Sequence, residues 1–145
     1  MSESEPTTEV TLLLVDDDRE QVKLLAFLMK LSGFSVLTAG SPAEALAIME
    51  QRAVHDVDVV ILDYHMPGMN GCVLADHLKA SAPDLKIILY SGAVDISEHE
   101  MGSIDRFVLK GEGVKPLIGK ISELTGVSLE QTWNSFFNPM TASLR

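Results

Sequence analysis

Asp16 and Asp17, Asp63, Ser91 and Lys110 are the side chains of this sequence whose types and positions could do chemistry together. Each set directly follows an apolar run, in the order acid pair, acid, hydroxyl, amine. Brought to one place, the three carboxylates would repel: at about 4 Å and an effective dielectric near 20, each pair of unit charges costs roughly 4 kcal/mol. Positive charge must therefore sit among them. A hard divalent cation held by oxygen ligands, with some waters retained, fits Mg²⁺, and Lys110 adds a fixed second charge. Such a set suits phosphoryl transfer to a carboxylate. The metal and Lys110 would neutralise the equatorial phosphoryl oxygens, Ser91 would hydrogen-bond one of them, and Asp63 would attack in line to give an acyl phosphate, with Asp16 and Asp17 serving the metal. No general base is required, because an ionised carboxylate is already nucleophilic. Taken singly, each residue has a plainer explanation in loop, capping or solvation; the joint placement is what points to a site.

To converge, these residues need strands that end at one edge. The run 11–15 predicts a strand leading into Asp16-Asp17-Asp18, and 19–31 places Val22, Leu25, Ala26 and Met29 on one helical face before Ser32-Gly33 stops it. A second strand is expected at 34–38. Ser41-Pro42-Ala43-Glu44 has the form of a helix start, and that helix runs to about Arg52. The run 57–62 predicts a buried third strand that delivers Asp63 to its end, with Pro67 and Gly68 at the turn beyond. A third helix follows at 72–80, then a fourth strand at 86–90, a short acidic helix at 96–101 and a fifth strand at 107–109. Leu117, Ile118, Ile121 and Leu124 set a fifth helix ending near Gly126. Strands alternating with helices predict an α/β fold, a doubly wound five-stranded parallel sheet with helices on both faces. Ligands bind such sheets at the C-terminal ends of the strands, where all the singled-out residues fall.

Composition narrows the field. A chain of 145 residues with 46% hydrophobic content accommodates one ordinary core. Net charge −10, without clustered Lys and Arg, argues against a nucleic-acid surface and favours cations or a basic partner. One cysteine, Cys72, excludes an internal disulfide, and no apolar run approaches a membrane span. The polar start lacks the features of a signal peptide, so a cytoplasmic location is expected. Residues 1–10 are read as a disordered tail, 11–126 as the folded domain and 127–145 as a helical extension. In that extension Leu129, Trp133, Phe136, Phe137 and Met140 recur at helical intervals until Asn138-Pro139 interrupts them. It could pack on its own domain, or offer an aromatic face to a partner or to a second copy in a dimer.

The chain resembles the receiver domain of two-component response regulators. The resemblance rests on Leu12-Leu13-Leu14-Val15-Asp16-Asp17-Asp18, on Val59-Val60-Ile61-Leu62-Asp63-Tyr64-His65-Met66-Pro67-Gly68-Met69-Asn70-Gly71, on Ile87-Ile88-Leu89-Tyr90-Ser91-Gly92 and on Phe107-Val108-Leu109-Lys110. It implies a flavodoxin-like sheet of order 2-1-3-4-5. It also implies that Asp63 accepts phosphate from a histidine kinase or a phosphotransfer protein, and that the domain signals by protein contacts to a downstream target. By the same resemblance Asp17 ligates Mg²⁺ directly, Asp16 acts mainly through water, and the His65 backbone carbonyl is a further ligand. Ser91 and Phe107 resemble the family's switch pair, which remodels the surface of the fourth helix, fifth strand and fifth helix. Gly92 would leave Asp63 accessible to donor and water.

Departures from the family pattern are also visible. Lys110 is followed by Gly111 where the family usually has proline, often cis, and Lys115-Pro116 offers a rival register; Leu117 and Ile121 keep their helix positions only with Lys110 at the strand end. Asn70 stands where Asp is common, and His65 occupies a position that influences autodephosphorylation in the family. Two other functions compete: a receiver fold used as a phosphorylation-independent docking module, and a haloacid-dehalogenase-like phosphohydrolase with Asp16 as nucleophile and Asp18 as acid/base. The second leaves Asp63 unexplained. His55, His77 and His99 read as solvated surface residues, and Cys72 as an inert, partly buried thiol.

Overall fold

Residues that are apolar at every position of a strand have to be covered on both sides, and that requirement shapes the molecule. The computed structural model describes residues 10–51, 56–93 and 95–127. Its order is β1 (Thr11–Val15), α1 (Arg19–Leu31), β2 (Ser35–Ala39), α2 (Pro42–Gln51), β3 (Val59–Leu62), α3 (Gly71–Ser81), β4 (Lys86–Ser91), β5 (Arg106–Leu109) and α4 (Lys115–Thr125). Short 3-10 turns at Glu98–Met101 and Lys110–Glu112 flank β5. The strands form one parallel sheet in the order β2-β1-β3-β4-β5, the flavodoxin-like arrangement expected.

Alternation along the strands divides the core in two. Leu13, Val15, Val60, Leu62, Ile87 and Leu89 pack with Ala45 of α2 and Leu74, Ala75 and Leu78 of α3. Leu12, Leu14, Val59, Ile61 and Ile88 face the other way, against Val22, Ala26 and Met29 of α1 and Leu117, Ile118 and Ile121 of α4. Each fully buried Leu or Ile is worth roughly 1.5–3 kcal/mol, so the central strands carry most of the apolar driving force.

The expected fourth helix is instead the 3-10 turn Glu98–Met101, capped at Ser97 by a reciprocal bond with Glu100. Its acidic sequence has too few apolar positions to bury a helical stripe, so a single capped turn satisfies the backbone. Capping explains other boundaries. Glu44 N–H donates to Ser41 Oγ at 3.0 Å, as the start signal before α2 predicts. Asp18 and Asn70 cap α1 and α3. Expectations for residues 1–9, His55, the end of α2 at Arg52 and the aromatic run in 128–145 lie outside the described residues.

Candidate functional site

The order of the sheet reverses between β1 and β3, since β2 lies on one side of β1 and β3 on the other. At such a switch point the connections leave on opposite faces and open a crevice at the strand C-termini. Asp16 and Asp17 follow β1, and Asp63 follows β3. Register carries this convergence: Val15 pairs with Leu62, and Asp63 N–H donates to Val15 C=O at 3.0 Å. One carboxylate oxygen each of Asp16, Asp17 and Asp63 lies within 4.8 Å of the others, with Asp16 buried, Asp63 half-buried and Asp17 exposed. That all-oxygen donor set fits a hard divalent cation.

Lys110 enters from the end of β5. Its Nζ is 2.8 Å from Asp16 Oδ2 and 3.7 Å from Asp63 Oδ2, and it donates to Gln21 Oε1 at 2.7 Å. The amine thus spans the acids of β1 and β3. The other Asp16 oxygen accepts from Asp18 N–H at 3.0 Å, and Asp63 Oδ1 accepts from Tyr64 N–H at 2.9 Å. Lys110 directly follows β5, whereas Lys115 begins α4, with Pro116 in its first turn. No cis peptide occurs among the described residues, so Lys110–Gly111 is trans; the chain passes through the turn Lys110–Glu112 and reverses at Gly113, φ 88°.

Ser91 is the last residue of β4, buried to 1% exposure, and its Oγ accepts from Ala93 N–H at 3.2 Å. Phe107 pairs with Leu89 across β5 and β4 and packs, half-buried, on the core layer of α2 and α3. The His65 ring is exposed and meets Tyr64 edge-on at 4.9 Å. A Cβ built on Gly92 would meet nothing within 4 Å.

Three contributors were not apparent from residue types. Gly71 N–H donates to Tyr64 C=O at 2.8 Å, and a Cβ at Gly71 would lie 2.3 Å from the Asp63 carbonyl oxygen. Glycine there lets the loop close against the strand end that presents Asp63. Tyr64 Oη donates to Glu100 Oε1 at 2.6 Å, tying that loop to the 3-10 turn before β5. The bond to Glu100, with burial, pushes the Tyr64 phenol up to about 12, and the same bond holds the Glu100 carboxyl below its usual range. Gln21 is the third, anchoring Lys110 from α1; only its place one turn into the helix after the acid pair could have suggested it. Cys72 is buried, and burial first, then Glu100 and Asp76, push its thiol up to about 11, in keeping with an inert side chain.

Asp18, the acid/base of the phosphohydrolase alternative, is the N-cap of α1. Its carboxylate caps α1, accepting from Glu20 N–H at 3.1 Å, Gln21 N–H at 3.2 Å and Gln21 Nε2 at 3.0 Å. Asp16, the nucleophile of that alternative, is engaged by Lys110.

A parallel five-stranded sheet with an acid crevice at its switch point and a lysine bridging the acids defines the receiver class. Comparison with known proteins agrees: the profile of the response regulator receiver domain matches residues 12–121, and the chain belongs to that family. Among curated relatives, the sensory transduction protein RegX3 of Mycolicibacterium smegmatis is 31% identical over 77% of this chain and 48% of its own length. The C4-dicarboxylate transport transcriptional regulatory protein DctD of Rhizobium meliloti is 38% identical over 59% of the chain and 18% of its own length. The chain therefore spans half or less of these two relatives. Among solved structures, the response regulator TrrA of Thermotoga maritima in complex with Mg²⁺-BeF is 29% identical, with TM-score 0.73 over 79% of this chain and 98% of that one. TrrA has also been solved with the histidine kinase ThkA.

Proposed function

We propose that the domain accepts a phosphoryl group on Asp63 from a histidine kinase or phosphotransfer protein. The observation that carries this reading is the position of Lys110 Nζ, 2.8 Å from Asp16 and 3.7 Å from Asp63, beside the clustered acids. The crystallised complex of TrrA with a histidine kinase supports the donor class. In the transfer, an Asp63 carboxylate oxygen attacks phosphorus of a phosphohistidine; the P–O bond forms as the P–N bond breaks, and the imidazole leaves and takes up a proton. Lys110 offsets charge on the phosphoryl oxygens, and Ser91 turns its hydroxyl from Ala93 N–H toward one of them. Water attack on phosphorus later returns the carboxylate and inorganic phosphate.

Mg²⁺ would be held by Asp17 directly, Asp16 mainly through water, Asp63 and the His65 backbone carbonyl, and it supplies charge neutralisation at the acids and the phosphoryl oxygens. Reorientation of Phe107, coupled to Ser91, would change the surface made by the Glu98–Met101 turn, β5 and α4, through which a downstream protein is contacted. The test incubates the protein with Mg²⁺ and acetyl phosphate and reads intact mass. Wild type gains one phosphoryl group, while Asp63→Ala and Mg²⁺-free wild type do not. Equal labelling of wild type and Asp63→Ala would remove Asp63 from the role.

A further inference from the structure

The Gln21 side chain makes bonds that the start of α1 does not require. Asp18 is the N-cap of α1, and its Oδ1 accepts from Gln21 N–H at 3.2 Å, the ordinary bond of a cap to the third helical residue. In a capping box the side chain at that third position would reach back to the cap's own backbone N–H. Here that N–H donates to Asp16 Oδ1 at 3.0 Å instead, and Gln21 Nε2 donates to Asp18 Oδ2 at 3.0 Å. The amide oxygen is left to accept from Lys110 Nζ at 2.7 Å, across 89 positions of sequence. Chemistry fixes this orientation of the amide, since an ammonium can only donate and an ionised carboxylate can only accept.

The ammonium of Lys110 has three protons to place. Short bonds to Asp16 Oδ2 at 2.8 Å and Gln21 Oε1 at 2.7 Å draw it to the β1 and α1 side of the crevice, while Asp63 Oδ2 stays 3.7 Å away. At that separation the charges attract, but no hydrogen bond forms. Asp63 Oδ1 is already engaged by Tyr64 N–H at 2.9 Å, which leaves Oδ2 as the oxygen turned toward the amine. A direct bond from the ammonium to Oδ2 would be charge-assisted, roughly twice as strong as a neutral one, and would have to be given up before that oxygen attacked phosphorus. The stand-off keeps the nucleophile free and leaves the third proton for a phosphoryl oxygen.

We propose that Gln21 is a positioning residue for phosphoryl transfer: it holds Lys110 on Asp16 and off Asp63, so that the amine meets the phosphoryl group rather than the nucleophile. Without the amide oxygen, the released proton turns to Asp63 Oδ2, and Lys110 closes onto the carboxylate that must react. This role rests on the reading of Asp63 as the phosphoacceptor.

Labelling rates with acetyl phosphate at saturating Mg²⁺ are followed by intact mass in the full chain. Gln21→Met keeps the length of the side chain without its acceptor, and Gln21→Glu keeps an oxygen at the same reach. Gln21→Met is expected to label about fivefold more slowly, a modest factor because Gln21 is exposed, and Gln21→Glu about as fast as wild type. In a Lys110→Ala background Gln21→Met brings no further loss, because the amide acts through the amine. Where that background labels too slowly to compare, the Glu variant and a crystal structure of metal-free Gln21→Met decide. In that structure Lys110 Nζ comes within hydrogen-bond reach of Asp63 Oδ2 with α1 intact, a movement that a merely structural glutamine would not produce. Absence of label on wild type, or equal label on Asp63→Ala, removes the phosphoacceptor reading and this role with it. With wild type labelled on Asp63, four results overturn the role of Gln21 alone: Gln21→Met labelling at the wild-type rate, Gln21→Glu labelling no faster than Gln21→Met, the same loss in the Lys110→Ala background, or an Nζ that keeps its 3.7 Å distance from Asp63 in the variant.

Discussion

The Lys110 ammonium and the Tyr64 phenol illustrate how much a single contact decides here. Lys110 is legible from sequence because a lysine after a fifth strand, opposite acids after the first and third, answers an electrostatic need. Tyr64 is not, because its partner Glu100 is 36 residues away and belongs to a segment with little periodicity. The Tyr64–Glu100 bond makes a pH prediction. Tyr64 has a folded-state pKa raised from 10.0 to about 12, so its contribution to stability is complete below pH 10 and is lost as pH rises through about 12. Glu100 has a lowered pKa, so its contribution is present above its ordinary 4.5 and is lost as pH falls through the lowered value. In an ultraviolet-monitored phenolate titration, Glu100→Gln is expected to bring the Tyr64 midpoint back toward 10. Tyr90, raised by its own burial, serves as the unchanged second transition. An identical curve for both proteins would show that Glu100 does not hold the phenol.

At the scale of elements, the loop from β3 to α3 is the piece on which the site's geometry depends. Asp63, the trans-loop bond from Gly71 to Tyr64 and the Asn70 cap of α3 occupy nine consecutive positions, and Asn70 Oδ1 accepts from Val73 N–H at 3.0 Å. The substitution of Asn for the family's usual Asp thus keeps a capping oxygen while dropping a charge. Gly71→Ala would drive a Cβ into the Asp63 backbone, 2.3 Å from its carbonyl oxygen, where no flexible side chain can give way. A loss of about 1–3 kcal/mol is expected in urea denaturation, the usual cost of overpacking. Gly92→Ala, facing open space, is expected to be neutral in the same assay. Equal stability of the two variants would mean that the loop can relax away from Asp63 without cost. The β4 to β5 connection shows the opposite relation to sequence: a weak helical pattern gave one capped 3-10 turn, with Ile96 and Met101 packed on the core but no full apolar stripe to hold a longer helix against the sheet.

For the whole molecule, the site is a meeting of elements that each also serve the core, so the binding of a cation there would be linked to folding. The acids gather only when β1 and β3 pair, and the unfolded chain offers no such cluster. A cation that binds the native state alone stabilises it by RT ln(1 + [L]/Kd), about 2.7 kcal/mol at a hundredfold excess over Kd. Mg²⁺ is therefore expected to raise the urea midpoint of wild type, and chelation to reverse the rise. Asp17→Asn should respond far less to Mg²⁺ while being as stable as wild type or more so without it, since one member of a repelling set is gone. A full Mg²⁺ response in that variant would exclude Asp17 as a ligand.

The sequence by itself determined the strands, the two-faced core and the identity of the acids, hydroxyl and amine, because buried parallel strands are written as continuous apolar runs and the chemistry sits at their ends. Asp16, Asp17, Asp63, Ser91 and Lys110 could be picked out in that way. What only the tertiary structure decided was how the acids and the lysine meet. The 2-1-3-4-5 order puts the crevice between β1 and β3, Gln21 and Asp16 fix the lysine, Gly71 closes on Asp63, and Asp18 turns from a candidate acid into a helix cap. Those relations are contacts between residues distant in the chain or set by backbone approach, and local periodicity carries no record of either.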